Sequence, residues 1–124
     1  MIPEIEIRDY IASIINTDVY EVRQNTNNSV YPYSYIDRGI NKKGNNNDLY
    51  GNIRINVNFF FRLSQERIVT DEIARLNNKL SGAPFRVNGF AYNLTLFNTI
   101  WMPSDPINPE IIHALIELKF DYNK

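Results

Sequence analysis

His113 is the one side chain of this sequence whose ordinary ionisation lies near neutral pH. Placed on a strand, it shares a face with Glu117 by period-two alternation. A histidine beside a carboxylate has the form of a general base held in orientation. The simpler alternative is a histidine on a polar strand face. The surroundings favour that alternative, because the chain has no Cys and no Ser stands at a strand-to-helix elbow.

The acidic residues are the second place to look. Asp71 and Glu72 fall in a predicted helix, Asp37 and Asp48 bracket a polar stretch, and Asp105 stands among prolines. Carboxylate oxygens bind hard cations when their spacing closes a shell. None of these has such a spacing, and Asp18-x-x-Glu21 has no helical context, so capping and solvated surface suffice. The run from Gly39 to Asn46 superficially has the glycine spacing of a phosphate loop. Asn45 and Asn46 follow Gly44 where Lys and then Ser or Thr are needed, so nucleotide binding is excluded there. No cofactor, no metal and no enzymatic activity are expected.

The composition agrees with that. The chain has 124 residues, 44% hydrophobic and 22% charged, with a formal net charge of −1. This is enough for one domain spanning 1–124 with its own core. Without Cys there is neither a disulfide framework nor a Cys-based zinc site. No apolar run is long enough to span a membrane as a helix. The charge balance argues against a basic nucleic-acid binder. The N-terminus MIPEIEIRDY lacks the basic start and apolar run of an export signal. The residue usage is lopsided instead, with 18 Asn and 17 Ile beside 8 Tyr and 7 Phe.

The elements that carry these residues follow from periodicity. Ile7, Ile11, Ile14 and Ile15 recur at helical spacing over 3–15, with Pro3 and Glu4 suited to the first turn. Val19–Arg23 is a predicted short strand, followed by the polar turn QNTNNS. Over 30–36, Tyr31, Tyr33 and Tyr35 share one face, and Pro32 suggests an edge or a bulge. Residues 38–50 are expected to form a long polar loop. Asn52–Arg62 alternates cleanly, with Ile53, Ile55, Val57, Phe59 and Phe61 on one side. Ser64 is placed to cap a helix with Val69, Ile73, Leu76 and Leu80 as its apolar stripe. Gly82 and Pro84 stop it. Asn88-Gly89 predicts a tight hairpin into Phe90–Asn98. Residues 102–109 are expected to form a proline-rich connector. Asn108-Pro109-Glu110 with Ile111, Leu115 and Leu118 fits a helix, but the longer alternation over Ile111–Tyr122 favours a last strand. The sum is an α+β domain, with a mostly antiparallel sheet of about five to six strands and two helices on one face.

Contact surfaces are better supported than chemistry. Trp101 and Met102 are expected to sit in the proline-rich connector, and Phe60 interrupts the polar face of its strand. Tyr31 and Tyr33 add an aromatic stripe, with Lys42 and Lys43 in the polar loop. Aromatic residues and Met are enriched at interface cores. Asn side chains donate and accept without charge, which suits a wet contact. The Tyr stripe beside Arg23, Arg38, Lys42 and Lys43 also has elements of a stacking platform for single strands, but the net charge speaks against it.

This order of elements, with Tyr31-Pro32-Tyr33, the amphipathic strand Ile53 to Arg62, a helix ending near Gly82 and the terminal Leu118, Phe120 and Tyr122, resembles the tail terminator (tail completion, neck) proteins of tailed bacteriophages. The resemblance implies a small α+β subunit of a hexameric ring, made in the host cytoplasm and built into the virion. Its partners would be copies of itself, the tail tube protein and the head-tail connector proteins. DNA would pass through the ring without specific binding, and no membrane would be involved. Tyr31, Tyr33, Trp101 and Met102 would make contacts between copies, and the loop 38–50 would project from the body. The family brings no catalytic residues. The alternatives are a small intracellular protein-binding or regulatory module without catalysis, and a small enzyme built on His113.

Overall fold

The computed structural model describes residues 2–16, 18–20, 31–43, 50–82, 84–102 and 110–124. Helix α1 (Pro3–Ile14) begins with Pro at its first position, where the missing N–H costs no hydrogen bond. Strands β1 (Asp18–Tyr20), β2 (Tyr33–Ile36), β3 (Ile40–Lys43) and β4 (Tyr50–Arg62) follow. A 3-10 turn (Leu63–Gln65) leads into α2 (Glu66–Leu80). Strands β5 (Phe85–Val87), β6 (Phe90–Met102) and β7 (Ile111–Asn123) complete the chain. The expected turn 24–29, the end of the first predicted strand at 21–23, and the connector over 103–109 lie outside the described residues.

All seven strands among the described residues belong to one sheet, ordered β1-β2-β4-β7-β6-β5, and β3 also lies against β4. Every pairing except β1 with β2 is antiparallel. β2 and β3 are two halves of one line. Tyr33 faces Phe60 and Ile36 faces Val57, whereas Ile40 faces Arg54 and Lys43 faces Gly51. The register therefore slips by one residue between them, as at a bulge. Gly39 sits at this break. A Cβ there would lie 3.2 Å from the Cβ of Glu4, so the close approach of α1 favours glycine.

Both helices pack on one face of the sheet, as the sequence predicts. Ile7, Ile11 and Ile15 from α1 and its end, and Val69, Ile73, Leu76 and Leu80 from α2, meet Ile53, Ile55, Val57, Phe59 and Phe61 of β4. Ala114, Ile116, Leu118, Phe120 and Tyr122 of β7 complete the floor. Each large apolar side chain so buried contributes about 1.5–3 kcal/mol. The ends of α1 and α2 are tied together by polar groups. Glu72 Oε1 accepts the Asn16 backbone N–H at 2.7 Å and also bonds the Arg75 guanidinium. Arg75 Nη2 donates to the Ile14 carbonyl at 2.5 Å, satisfying an orphan carbonyl at the end of α1.

Three details differ from the sequence-based expectation. Ile40–Lys43, expected within a loop, is strand, because β4 runs far enough back to offer it a partner. Trp101 and Met102 close β6 rather than opening a connector, because β7 continues opposite them to Ala114 and His113. Ser64 does not cap α2. It lies in the 3-10 turn, where Gln65 Oε1 accepts the Arg62 backbone N–H at 2.9 Å. Pro32 immediately precedes β2 and so removes no ladder bond from it. Asn88 and Gly89 have φ of 48° and 95°, the left-handed pair that the tight hairpin between β5 and β6 requires.

The core also contains charge. Glu6 is 2% exposed, and neither carboxylate oxygen has a hydrogen-bond partner among the described residues. Tyr92, fully buried, donates to the Pro3 carbonyl at 3.3 Å. Its phenol is held well above the ordinary range, first by burial, then by the negative charge of Glu6, with Tyr122 and Glu4 adding less.

Candidate interface on the open sheet face

No helix of the described residues covers the second face of the sheet, and the antiparallel registers set its side chains in rows. Tyr33, Phe60, His113 and Met102 form one row across β2, β4, β7 and β6. Tyr35, Asn58, Leu115 and Ile100 form the next. Further along stand Asn56, Glu117 and Asn98, then Ile40, Arg54, Lys119 and Leu96. The last row is Lys42, Asn52, Asp121 and Asn93. One end of the face is aromatic and the other is Asn-rich and charged. The gradient arises because side chains alternate strictly along each strand.

The aromatic end is a packed second cluster. Tyr31, Tyr33, Phe60 and Ile111 are buried together, with Tyr35 against them. Tyr33 and Phe60 stack with centroids 5.1 Å apart. Such offset stacks add roughly 0.5–1.5 kcal/mol beyond burial. Tyr31 is held from outside the sheet. Gln65 Nε2 donates to its carbonyl at 2.9 Å, and the Arg62 guanidinium lies 5.4 Å above its ring centre. His113 stacks on Phe60 at 4.3 Å, and its Nε2 is 2.8 Å from Asn58 Oδ1.

The polar end is organised by side-chain pairs across strands. Asn98 Nδ2 donates to Glu117 Oε1 at 3.0 Å. Beside it lies an open hollow of about 530 Å³, lined in part by Asp37, Arg38, Arg54, Asn56, Leu96 and Glu117. Charges of both signs share it, so it is a surface for polar contact with no single-sign field. Glu117 engages Asn98, and His113 engages Asn58 and Phe60. The base-and-carboxylate pair suggested by their spacing is thus divided between two different sets of partners. Among the described residues no three His, Asp or Glu side chains converge as metal ligands would. Of the acidic candidates, Glu72 serves the α1–α2 junction. Glu21, Asp48 and Asp105 lie outside the described residues.

The aromatic contact candidates are gathered only in part. Tyr31, Tyr33 and Phe60 pack together, and Met102 lies in the row of Tyr33 and Phe60, beyond His113. Phe60, at 1% exposure, is buried within that cluster. Trp101 emerges on the helix side, edge-on to Phe61 at 6.0 Å, and remains 48% exposed. Lys42 lies at the opposite, polar end, and Lys43 pairs through its backbone with Gly51. Alternation sets Asn58 on the polar face of its strand but puts Leu96 with Phe90, Tyr92 and Leu94; the bulge between Leu94 and Leu96 turns Leu96 to this face instead. Ile100 and Leu115 join it through the register of β6 with β7, which no single strand displays.

The fold and face together define an α+β sheet domain with one helix-covered side and one side that is buried at its aromatic end and exposed at its polar end. No family model matches the chain, and no curated protein is similar to it.

Proposed function

We propose that this protein is a non-catalytic structural subunit that assembles with copies of itself. We further propose that it acts as a tail terminator-like ring of a tailed bacteriophage, capping the tail tube and joining it to the head connector. The observation that carries this reading is the face of β4, β7 and β6 that no described helix covers, where the exposed or half-buried Asn56, Asn98, Leu96, Ile100 and Met102 stand together. Uncharged, hydrogen-bonding surface of this kind suits a wet contact between subunits. The engagement of His113 by Phe60 and Asn58 also supports a role without acid–base chemistry. In a ring, each copy contributes two different surfaces, head to tail. The open face, Met102 and Trp101 are the surfaces offered for those contacts and for the tube and connector proteins. DNA would pass such a ring without specific binding, consistent with a net charge of −1.

The test is to remove the protein from the particle that carries it. Electron micrographs should then show over-long tails, or tails unjoined to heads. Particles with normal, joined tails would overturn the reading.

A further inference from the structure

The sheet ends differently on its two sides. On one side, among the described residues, β1 has three residues and β3 four, and β3 carries Lys42 and Lys43. Short strands and lysines are how edges are kept from pairing with other chains. On the other side β5 covers only Phe90–Tyr92 of β6. Among the described residues, Asn93–Met102 has no strand on its outer side. That stretch, NLTLFNTIWM, holds no charge and no proline. Leu96 and Trp101 are 42% and 48% exposed, on opposite faces of the strand.

We propose that this edge of β6 pairs antiparallel with the same edge of a second copy, about a two-fold axis at Thr99. An open edge is satisfied best by a strand of similar length. Of the described edges of this chain, only β6 itself offers one. Residues opposed across an antiparallel pair must share a face. Centring on Thr99 meets this condition. It sets Leu96 against Met102, Phe97 against Trp101 and Asn98 against Ile100, each pair occurring twice by symmetry. Both exposed apolar side chains are thereby covered, and an aromatic pair forms on the helix side. No like charges meet. The bulge between Leu94 and Leu96 bends the strand and sets the end of the pairing. A two-fold axis normal to the sheet keeps the helices of both copies on one side. The pairing belongs to the free chain in solution and does not rest on the ring reading.

The absence of Cys makes a direct test available. In the full-length protein, Thr99→Cys introduces the only thiol. On antiparallel strands two such residues would stand about 4.5–5.5 Å apart at Cα, within disulfide reach. Mild oxidation should cross-link Thr99→Cys at least about tenfold faster than Ser81→Cys, because pairing raises the local thiol concentration toward the millimolar range. Ser81 is exposed beyond the end of α2 and outside the stretch proposed to pair. Equal rates for the two variants, or no cross-link at Thr99→Cys, would overturn the proposal. Sedimentation gives a second reading. Thr99→Lys places two like charges at the axis and should shift dimer to monomer with an unchanged circular dichroism spectrum. A wild-type protein that sediments as a monomer at about 100 μM, well above the range of stable homodimers, would also overturn it.

Discussion

The ring of His113 lies on that of Phe60, centroids 4.3 Å apart and planes 13° from parallel. The two residues are direct cross-strand neighbours on β4 and β7, and Asn58 Oδ1 meets the imidazole Nε2 at 2.8 Å. The imidazole thus works as a wall of the aromatic cluster. His113→Ala should cost about 1–3 kcal/mol, through the lost stack and the unpaired Asn58 oxygen. His113→Phe should restore the stack and recover part of that. Urea unfolding of the three proteins measures both. Equal stability of wild type and His113→Ala would refute this role.

Glu6 is a buried carboxylate with both oxygens unbonded among the described residues. Desolvating such a group costs free energy that nothing nearby returns as hydrogen bonds. Replacing it with an apolar side chain of similar length should therefore stabilise the fold. Glu6→Met is expected to raise the unfolding free energy by about 1–3 kcal/mol. A lower midpoint in chemical denaturation would show instead that the carboxylate is needed where it is.

Tyr92 links stability to alkaline pH. Its phenol is raised in the folded protein by burial and by Glu6, so the neutral form is favoured there. In the unfolded chain it ionises near pH 10. A group raised on folding contributes its stability fully below the unfolded value and loses it as pH climbs toward the folded one. Unfolding free energy should therefore fall above about pH 10, with a Tyr92 contribution approaching roughly 1.4 kcal/mol per pH unit. In Tyr92→Phe that part of the slope should vanish. An unchanged slope in guanidinium titrations between about pH 9 and pH 11 would contradict the assignment.

Glu72 holds the end of α1 through Asn16 and Arg75. Glu72→Ala should cost about 1–3 kcal/mol, since it leaves the Asn16 N–H without its acceptor and the Arg75 guanidinium without its carboxylate partner. Amide exchange should show the loss locally, as faster exchange in the last turn of α1, with β4 and β7 still protected. Uniform acceleration across the chain would point to global unfolding instead.

Where the signal is local, the sequence shows the element. The stripe Val69, Ile73, Leu76 and Leu80 marks α2, and every one of these residues is buried. Asn88-Gly89 marks the hairpin, because few other residues accept two positive φ angles in succession. Alternation marks β4 and β7 because each has one face against the helices. The strand at Ile40–Lys43 escapes such inspection. It is short, lies at an edge and carries lysines, so only the reach of β4 makes it a strand. Trp101 and Met102 escape for a similar reason, since Pro103 two residues or fewer away masks a strand that β7 extends.

By itself the sequence determined which reactive side chains are available and the periodicities that build the layers. A chain without Cys and with one His has no thiol and no Cys- and His-based ligand set before any fold is known. Tertiary structure decided which residues share a row. Tyr33, Phe60, His113 and Met102 lie far apart in the chain and become neighbours only through three registers in succession. Among the described residues, the same registers leave Asn93–Met102 of β6 as the long, uncharged edge. Alternation is a property of each strand alone, whereas register and edge position come from how strands pair, and that is settled by burying the helix-covered face as a whole.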